Sequence, residues 1–310
     1  MTPAAERARR WVRPAVLLLI LWGISVVPGT PLVALALLVQ LALLPRPRTG
    51  PALFVAIAAA LLVFSGPGDG LWFVVRGWGL VLGLSFVAVT LYRPAAPFIS
   101  RALGALVAAV AIVALLFQWG PPDWQVVDWL VGSRIRQVGA TALEGVRLLA
   151  GERTATPTLL GALSRMIEWQ VSVYPGILLV SSLCALAVAW WVYVRVAQGS
   201  DRALGPLRDF RFSDQWVWIV VAGFALVLLG ASEGWSRAGA STLVFMAALY
   251  VARGAAVVVF LTGGVSWAGV ALALVGLALL PQVLVGGTFM VGLSDTWLDI
   301  RGRARAVLNG

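Results

Sequence analysis

A chain of 310 residues that is 61% hydrophobic and only 12% charged cannot build the water-facing surface of a soluble domain, which takes roughly 25% charged residues. Its mean hydropathy of +0.94 and its recurring apolar runs, near the roughly 20 residues that cross the hydrocarbon as helix, make it an all-α, polytopic transmembrane bundle. The net charge of +10 comes from Arg with no Lys, and the Arg lie mostly between apolar runs, where they act as topology signals and headgroup contacts; no nucleic-acid partner is implied.

Taken in chain order, Arg7, Arg9, Arg10 and Arg13 precede the first apolar run. No small-x-small cleavage site follows, so the run reads as a first transmembrane helix with a cytoplasmic N-terminus. Runs at 14–28 and 31–45, broken at Pro28-Gly29, form a short pair, and Arg46 and Arg48 mark the return to the cytoplasm. Runs at 50–66 and 71–92 follow, then Arg93 and Arg101, then 102–119. After a long insertion come 173–194, the cluster Arg195, Arg202, Arg208 and Arg211, and runs at 215–231 and 239–262. The last stretch, 265–300, is too long for one crossing; Pro281 and Gly286-Gly287 divide it into 265–280 and 282–300. The expectation is one integral membrane domain over 1–310 with eight to ten crossings, ten by this count. Both termini are expected to be cytoplasmic by the positive-inside rule. Trp119, Trp124, Trp169, Trp216, Trp235, Trp267 and Trp297 fall at run ends, where an amphipathic indole favours the interface. Gly79-x-x-x-Gly83 has the spacing of a close helix contact, although 33 Gly make such spacing common.

The insertion at 120–170 is expected to be extracytoplasmic. Val127, Val131, Ile135, Val138, Ala142, Val146 and Leu149 recur every three or four residues, while Asp128, Arg136, Glu144 and Arg147 fall elsewhere, the pattern of an amphipathic helix. A break at 154–158 precedes a shorter helix through Leu160, Leu163 and Ile167. Two readings stay open: packing on the outer leaflet, or a lid or docking platform on which Trp124, Val127, Val131, Ile135 and Val138 meet a partner.

Ionisable groups at membrane depth are costly and are functional candidates by default. Arg76 lies close enough to an interface to snorkel. Arg253 lies deeper and needs an internal acceptor, for which the closing segment Gly292-Leu-Ser-Asp295-Thr-Trp297-Leu-Asp299-Ile-Arg301 offers carboxylates. Asp295 and Asp299, four apart, share a face if the helix continues, and Asp299 stands four before Arg303. The candidate binding residues are therefore Arg253, Asp295 and Asp299, which either pin the last helix or form a substrate or ion-coupling site. No catalytic site is expected. The chain has no His, hence no serine triad, and two Asp on one helix do not converge to share a proton. Neither metal nor cofactor is implied. The one Cys, Cys184, reads as a small packing residue, and no ATP-binding loop is present.

Tyr174-Pro-Gly-Ile-Leu-Leu-Val-Ser-Ser-Leu183, then Pro206-Leu-Arg-Asp-Phe-Arg-Phe-Ser213, then the closing segment with Gly292, Asp295, Trp297, Asp299 and Arg301, stand in an order that resembles the YybS-like family of bacterial membrane proteins, a domain of unknown function. Ser213 stands where the family often has Pro. The resemblance implies a multi-pass protein of the bacterial cytoplasmic (inner) membrane without established activity. The helical core is also similar to substrate-binding subunits of energy-coupling-factor transporters, a fold-level analogy from which no ligand residue carries over. Two functions remain open: a small-solute capture or transport subunit without its own ATPase, or a non-catalytic scaffold joining other membrane subunits. The lipid bilayer is the partner common to both.

Overall fold

The computed structural model describes residues 35, 38–39, 42–43, 49–65, 70–119, 123–150, 157–198, 204–230 and 232–309. Every regular element among them is helical: α1 (Thr49–Ser65), α2 (Gly70–Tyr92), α3 (Phe98–Trp119), α4 (Trp124–Ala150), α5 (Pro157–Gln198), α6 (Val217–Leu229), α7 (Glu233–Leu261), α8 (Trp267–Leu279), α9 (Pro281–Leu298) and α10 (Ile300–Asn309). Short 3-10 turns at Leu207–Asp209 and Asp214–Trp216 complete the described elements. Helices satisfy their own backbone in lipid, where no water can, and the chain is a polytopic α-helical membrane bundle.

By length and composition four helical segments can cross a membrane: Gly70–Tyr92, Phe98–Trp119, Thr158–Arg195 and Glu233–Leu261. A fifth arises if Pro281–Leu298 and Ile300–Ala306, bent by 66°, form one broken span. Other apolar helices fall short. Thirteen residues in α6 and in α8 reach only about 20 Å at 1.5 Å per residue, against a hydrocarbon core of about 30 Å. A count of ten full crossings rests on runs of this kind, and on 14–28 and most of 31–45, which lie outside the described residues. Within the latter, Leu35, Leu38, Val39, Ala42 and Leu43 are helical and buried, the spacing of one helix face.

The shorter helix expected after the insertion and the crossing expected at 173–194 are one continuous element. α5 runs 42 residues with Pro175 inside it, about 63 Å, twice the hydrocarbon thickness. Pro157 opens the helix, a position where its missing N–H costs nothing.

The chain divides into two compact units. The first comprises Met1–Val171 and Ser181–Ala203. Its described core joins Leu82, Phe86 and Val87 of α2, Ala102, Leu103, Ala105, Leu106 and Ala109 of α3, and Leu186, Ala189 and Trp190 of α5. Phe86 sets its ring edge-on to Phe98 and Trp190, with centroids at 6.1 and 5.9 Å, and Trp78 Nε1 donates to Ser182 Oγ at 2.9 Å. Gly83 lies under Leu35 and Leu38, whereas a Cβ on Gly79 would meet nothing within 4 Å among the described residues.

The second unit comprises Ser172–Val180 and Leu204–Gly310, and α7 is its axis. Gly176 packs against the backbone of Ser241, and Gly239 against the carbonyl of Gly223 on α6. Gly292 of α9 meets the carbonyl of Tyr250 on α7, and Gly254 of α7 meets that of Thr288 on α9, so closely that a Cβ at either would collide. Small residues permit this approach where lipid supplies no hydrophobic drive between helices. Many Leu and Val face outward, and α8 buries no residue at all, a surface that suits acyl chains rather than water.

Candidate functional site

The backbone contact of Gly254 with Gly292 sets the register between α7 and α9. It brings Arg253, one residue before Gly254, beside Asp295, three residues after Gly292. Both side chains are fully buried, and Arg253 Nε donates to Asp295 Oδ2 at 2.9 Å. Arg253 lies eight residues before the end of α7, about 12 Å along the axis, and takes the internal acceptor that this depth demands.

The loop before α6 closes the cluster. Arg253 Nη1 donates to Asp214 Oδ1 at 2.7 Å. Arg301 Nη2 donates to the same Asp295 Oδ2 at 2.9 Å, while its Nη1 binds the carbonyls of Phe210 at 2.9 Å and Arg208 at 3.1 Å. Arg211 reaches Asp214 Oδ2 at 3.3 Å and Asp299 Oδ1 at 3.4 Å. The order Asp299–Arg211–Asp214–Arg253–Asp295–Arg301 alternates in sign and sums to zero charge, which lets the buried members persist in a low dielectric. Phe212 and Tyr250 wall the site: Arg253 Cζ lies 5.4 Å from the Phe212 ring centroid, and the two rings meet edge-on at 5.3 Å.

Four buried polar atoms here lack a hydrogen bond: Arg253 Nη2, Asp295 Oδ1, Tyr250 Oη and Thr296 Oγ1. The two hydroxyls neighbour each other without reaching hydrogen-bond geometry. Such atoms are uncommon in folded proteins, and here an unpaired donor and an unpaired acceptor belong to one ion pair.

Asp299 behaves differently from its expected role. It takes a left-handed backbone, φ 42° and ψ 54°, where α9 ends, so it does not share a face with Asp295. Its side chain turns to Arg211 and over Gly302, and its backbone carbonyl accepts from Arg303 N–H at 3.0 Å. Asp and Asn tolerate this region better than other L residues, and a carboxylate suits the N-terminus of α10.

The family described as "Predicted membrane protein (DUF2232)" matches residues 15–296. The chain belongs to this family. The family resemblance read from the sequence is borne out at that level, and the match takes in Arg253, Asp214, Gly292 and Asp295 but stops before Trp297, Asp299 and Arg301. No curated protein and no solved structure matches the chain.

Elsewhere in this DUF2232 protein, α4 presents Trp124 and Val138 as exposed, with Val127, Val131 and Ile135 half-buried. Trp124 stacks edge-on against Phe117 with centroids at 5.4 Å. The polar side of α4 locks onto α5, where Arg136 forms a two-pronged pair with Glu168 at 2.8 and 2.9 Å, and Gly139 fits beneath Ile167. Arg76 places its guanidinium 3.2 Å from the Trp72 ring centroid, a cation–π contact one turn away. Cys184 is exposed and so does not serve as the packing residue expected. Sequence reasoning missed Asp214, Arg211 and Arg301 as members of the cluster. Asp214 directly follows the Pro206–Ser213 segment, but its partner is 39 residues away, beyond any local spacing rule.

Proposed function

We propose that this membrane protein captures or transports a small polar solute, with Arg253 and Asp295 as its binding pair, and that it is not an enzyme. The observation that supports this reading is the coexistence of two unfilled atoms of opposite character, Arg253 Nη2 and Asp295 Oδ1, within one fully buried ion pair. A solute that accepts one hydrogen bond and donates another satisfies both. The helix that carries Asp295 breaks four residues later at Asp299, with a 66° bend, and broken helices at a polar core are a common form of transporter binding site. Asp299 contributes through Arg211 and Asp214. The sequence has no nucleotide-binding loop, so energy for transport comes from partner chains. The Arg distribution favours both termini on the cytoplasmic side, and the resemblance to a bacterial family favours the bacterial cytoplasmic membrane. The analogy to energy-coupling-factor subunits adds no weight, since no solved structure matches.

The test is mass spectrometry of small molecules that co-elute with the purified full-length protein, compared with Arg253→Lys, which keeps the charge but loses the fork. A solute present with the wild type and absent from a folded Arg253→Lys is the expected result. The reading is abandoned if nothing co-elutes and Arg253→Lys changes neither the eluate nor uptake by reconstituted vesicles.

A second reading, a scaffold for other membrane subunits, draws on Trp129, Val138 and Leu148, which stand exposed on α4. Loss of a stoichiometric partner from native membranes on deletion of 122–168 favours it. Recovery of the chain alone from those membranes counts against it.

A further inference from the structure

Three Arg side chains are buried among the described residues, and two of them are paired: Arg301 meets Asp295, and Arg253 is neutralised by Asp214 and Asp295. Arg101, only 7% exposed at the start of α3, has no carboxylate partner among the described residues, and its Nε has no hydrogen bond. The surrounding elements cannot supply one, because the sequence holds no Asp or Glu from 70 to 122 or from 169 to 200. These stretches take in α2, α3 and the part of α5 that faces Arg101. What Arg101 meets is aromatic: its Cζ lies 4.1 Å from the Trp190 ring centroid, and Tyr193 is adjacent. A ring face and a neutral phenol soften a guanidinium charge but do not balance it, and a buried unpaired charge is among the costliest features a fold can carry.

The same Arg101 lines a cleft of about 200 Å³ together with Arg93, Ser100, Val89, Tyr92 and Gly104. The cleft lies at the turn between α2, which ends at Tyr92, and α3, which begins at Phe98, two helices long enough to span the membrane. A turn between two spans lies at the bilayer surface, where lipid phosphates concentrate. The volume falls below the roughly 300–1,000 Å³ of sites that enclose drug-sized solutes and suits a single oxyanion group. Arg93 is exposed at the rim, Ser100 adds a hydroxyl, and the first turn of α3 adds the positive end of its dipole.

We propose that this cleft is a binding site for a phosphate-bearing anion, seated between Arg101 and Arg93, with the headgroup of an anionic phospholipid as its source. Basic pockets between transmembrane helices hold such headgroups. The anion supplies the counter-charge that α2, α3 and the facing part of α5 lack, so it is a structural ligand distinct from any solute at Arg253.

The experiment uses the full chain in detergent, stripped of lipid and probed by native mass spectrometry and thermal unfolding. The probes are phosphatidylglycerol, phosphatidylcholine and inorganic phosphate. Each guanidinium near an anionic headgroup contributes about a fivefold factor, so phosphatidylglycerol is expected to bind about 25-fold tighter than phosphatidylcholine and to raise the melting temperature. Arg93→Gln, a surface change, loses about fivefold of that preference. Arg101→Gln loses the preference and melts higher than the wild type when no anion is present, because it removes an unpaired buried charge. A shift reproduced in full by inorganic phosphate keeps the site and assigns it to the free ion. Equal binding of the two lipids with no response to phosphate overturns the proposal, as does an Arg93→Gln protein that keeps the full preference. Should Arg101→Gln fail to fold, the Arg93→Gln comparison decides alone.

Discussion

Removing the charge of Asp295 should destabilise the second unit by about 3–5 kcal/mol, the cost of breaking a buried ion pair by deleting one partner. The size comes from the geometry. Asp295 is fully buried, and its Oδ2 accepts two charge-assisted bonds at 2.9 Å, from Arg253 and from Arg301; such bonds are the strong ones. Asp295→Asn keeps an acceptor oxygen and Arg253 keeps Asp214, which places the substitution near the lower end, about 3 kcal/mol. Arg253→Met, which strands Asp295 on Arg301 alone, falls in the same range. The double variant Arg253→Met/Asp295→Leu removes both charges. It leaves Arg301 with two backbone carbonyls and Asp214 with Arg211, so it should cost about 2–3 kcal/mol less than the sum of the single losses. The assay is equilibrium unfolding by SDS in mixed micelles, followed through the fluorescence of the 15 Trp. A loss under about 1 kcal/mol for Asp295→Asn would refute the claim that this pair ties α7 to α9, and additivity within about 0.5 kcal/mol would refute their coupling.

Three further outcomes rest on separate contacts. Gly292→Leu places a side chain against the Tyr250 carbonyl and the Gly254 amide, and it should lower the melting temperature more than Gly286→Leu, whose Cβ meets nothing within 4 Å; equal melting curves would contradict the close α7–α9 crossing. Asp299→Gly removes a left-handed backbone cost of about 1 kcal/mol and one exposed ion pair worth at most about that much, so its stability should stay within about 1 kcal/mol of wild type, while Asp299→Val, β-branched at φ 42°, should lose clearly more in the same unfolding assay. Arg136→Ala breaks an exposed pair with Glu168 and should cost no more than about 1 kcal/mol, a difference that shrinks in high salt when unfolding is compared at low and high ionic strength.

Much of the bundle was legible because lipid imposes a local rule: each crossing must be a continuous apolar helix, and such runs announce themselves without reference to the rest of the chain. The depth of Arg253 was equally local, since its distance from the helix end is a count of residues. Other features were not local. Whether Pro157 to Gln198 is one helix or two depends on packing across Pro175, which no run length encodes. Asp295 and Asp299 share a face only if the helix continues, and the left-handed residue at Asp299 ends it.

The sequence by itself determined that the chain is an all-helical membrane protein, that Arg253 needs an acid, and that the closing segment could offer one. It did so through composition, run length and the cost of charge in hydrocarbon, which act residue by residue. Only the tertiary structure decided which charges meet. Gly254 against Gly292 brings Arg253 to Asp295, the loop at 207–216 brings Asp214 and the carbonyls that hold Arg301, and Arg101 is left without a carboxylate among the described residues. Pairing is a property of distance in space, and residues 39 and 42 positions apart in the chain become neighbours only once the helices have crossed.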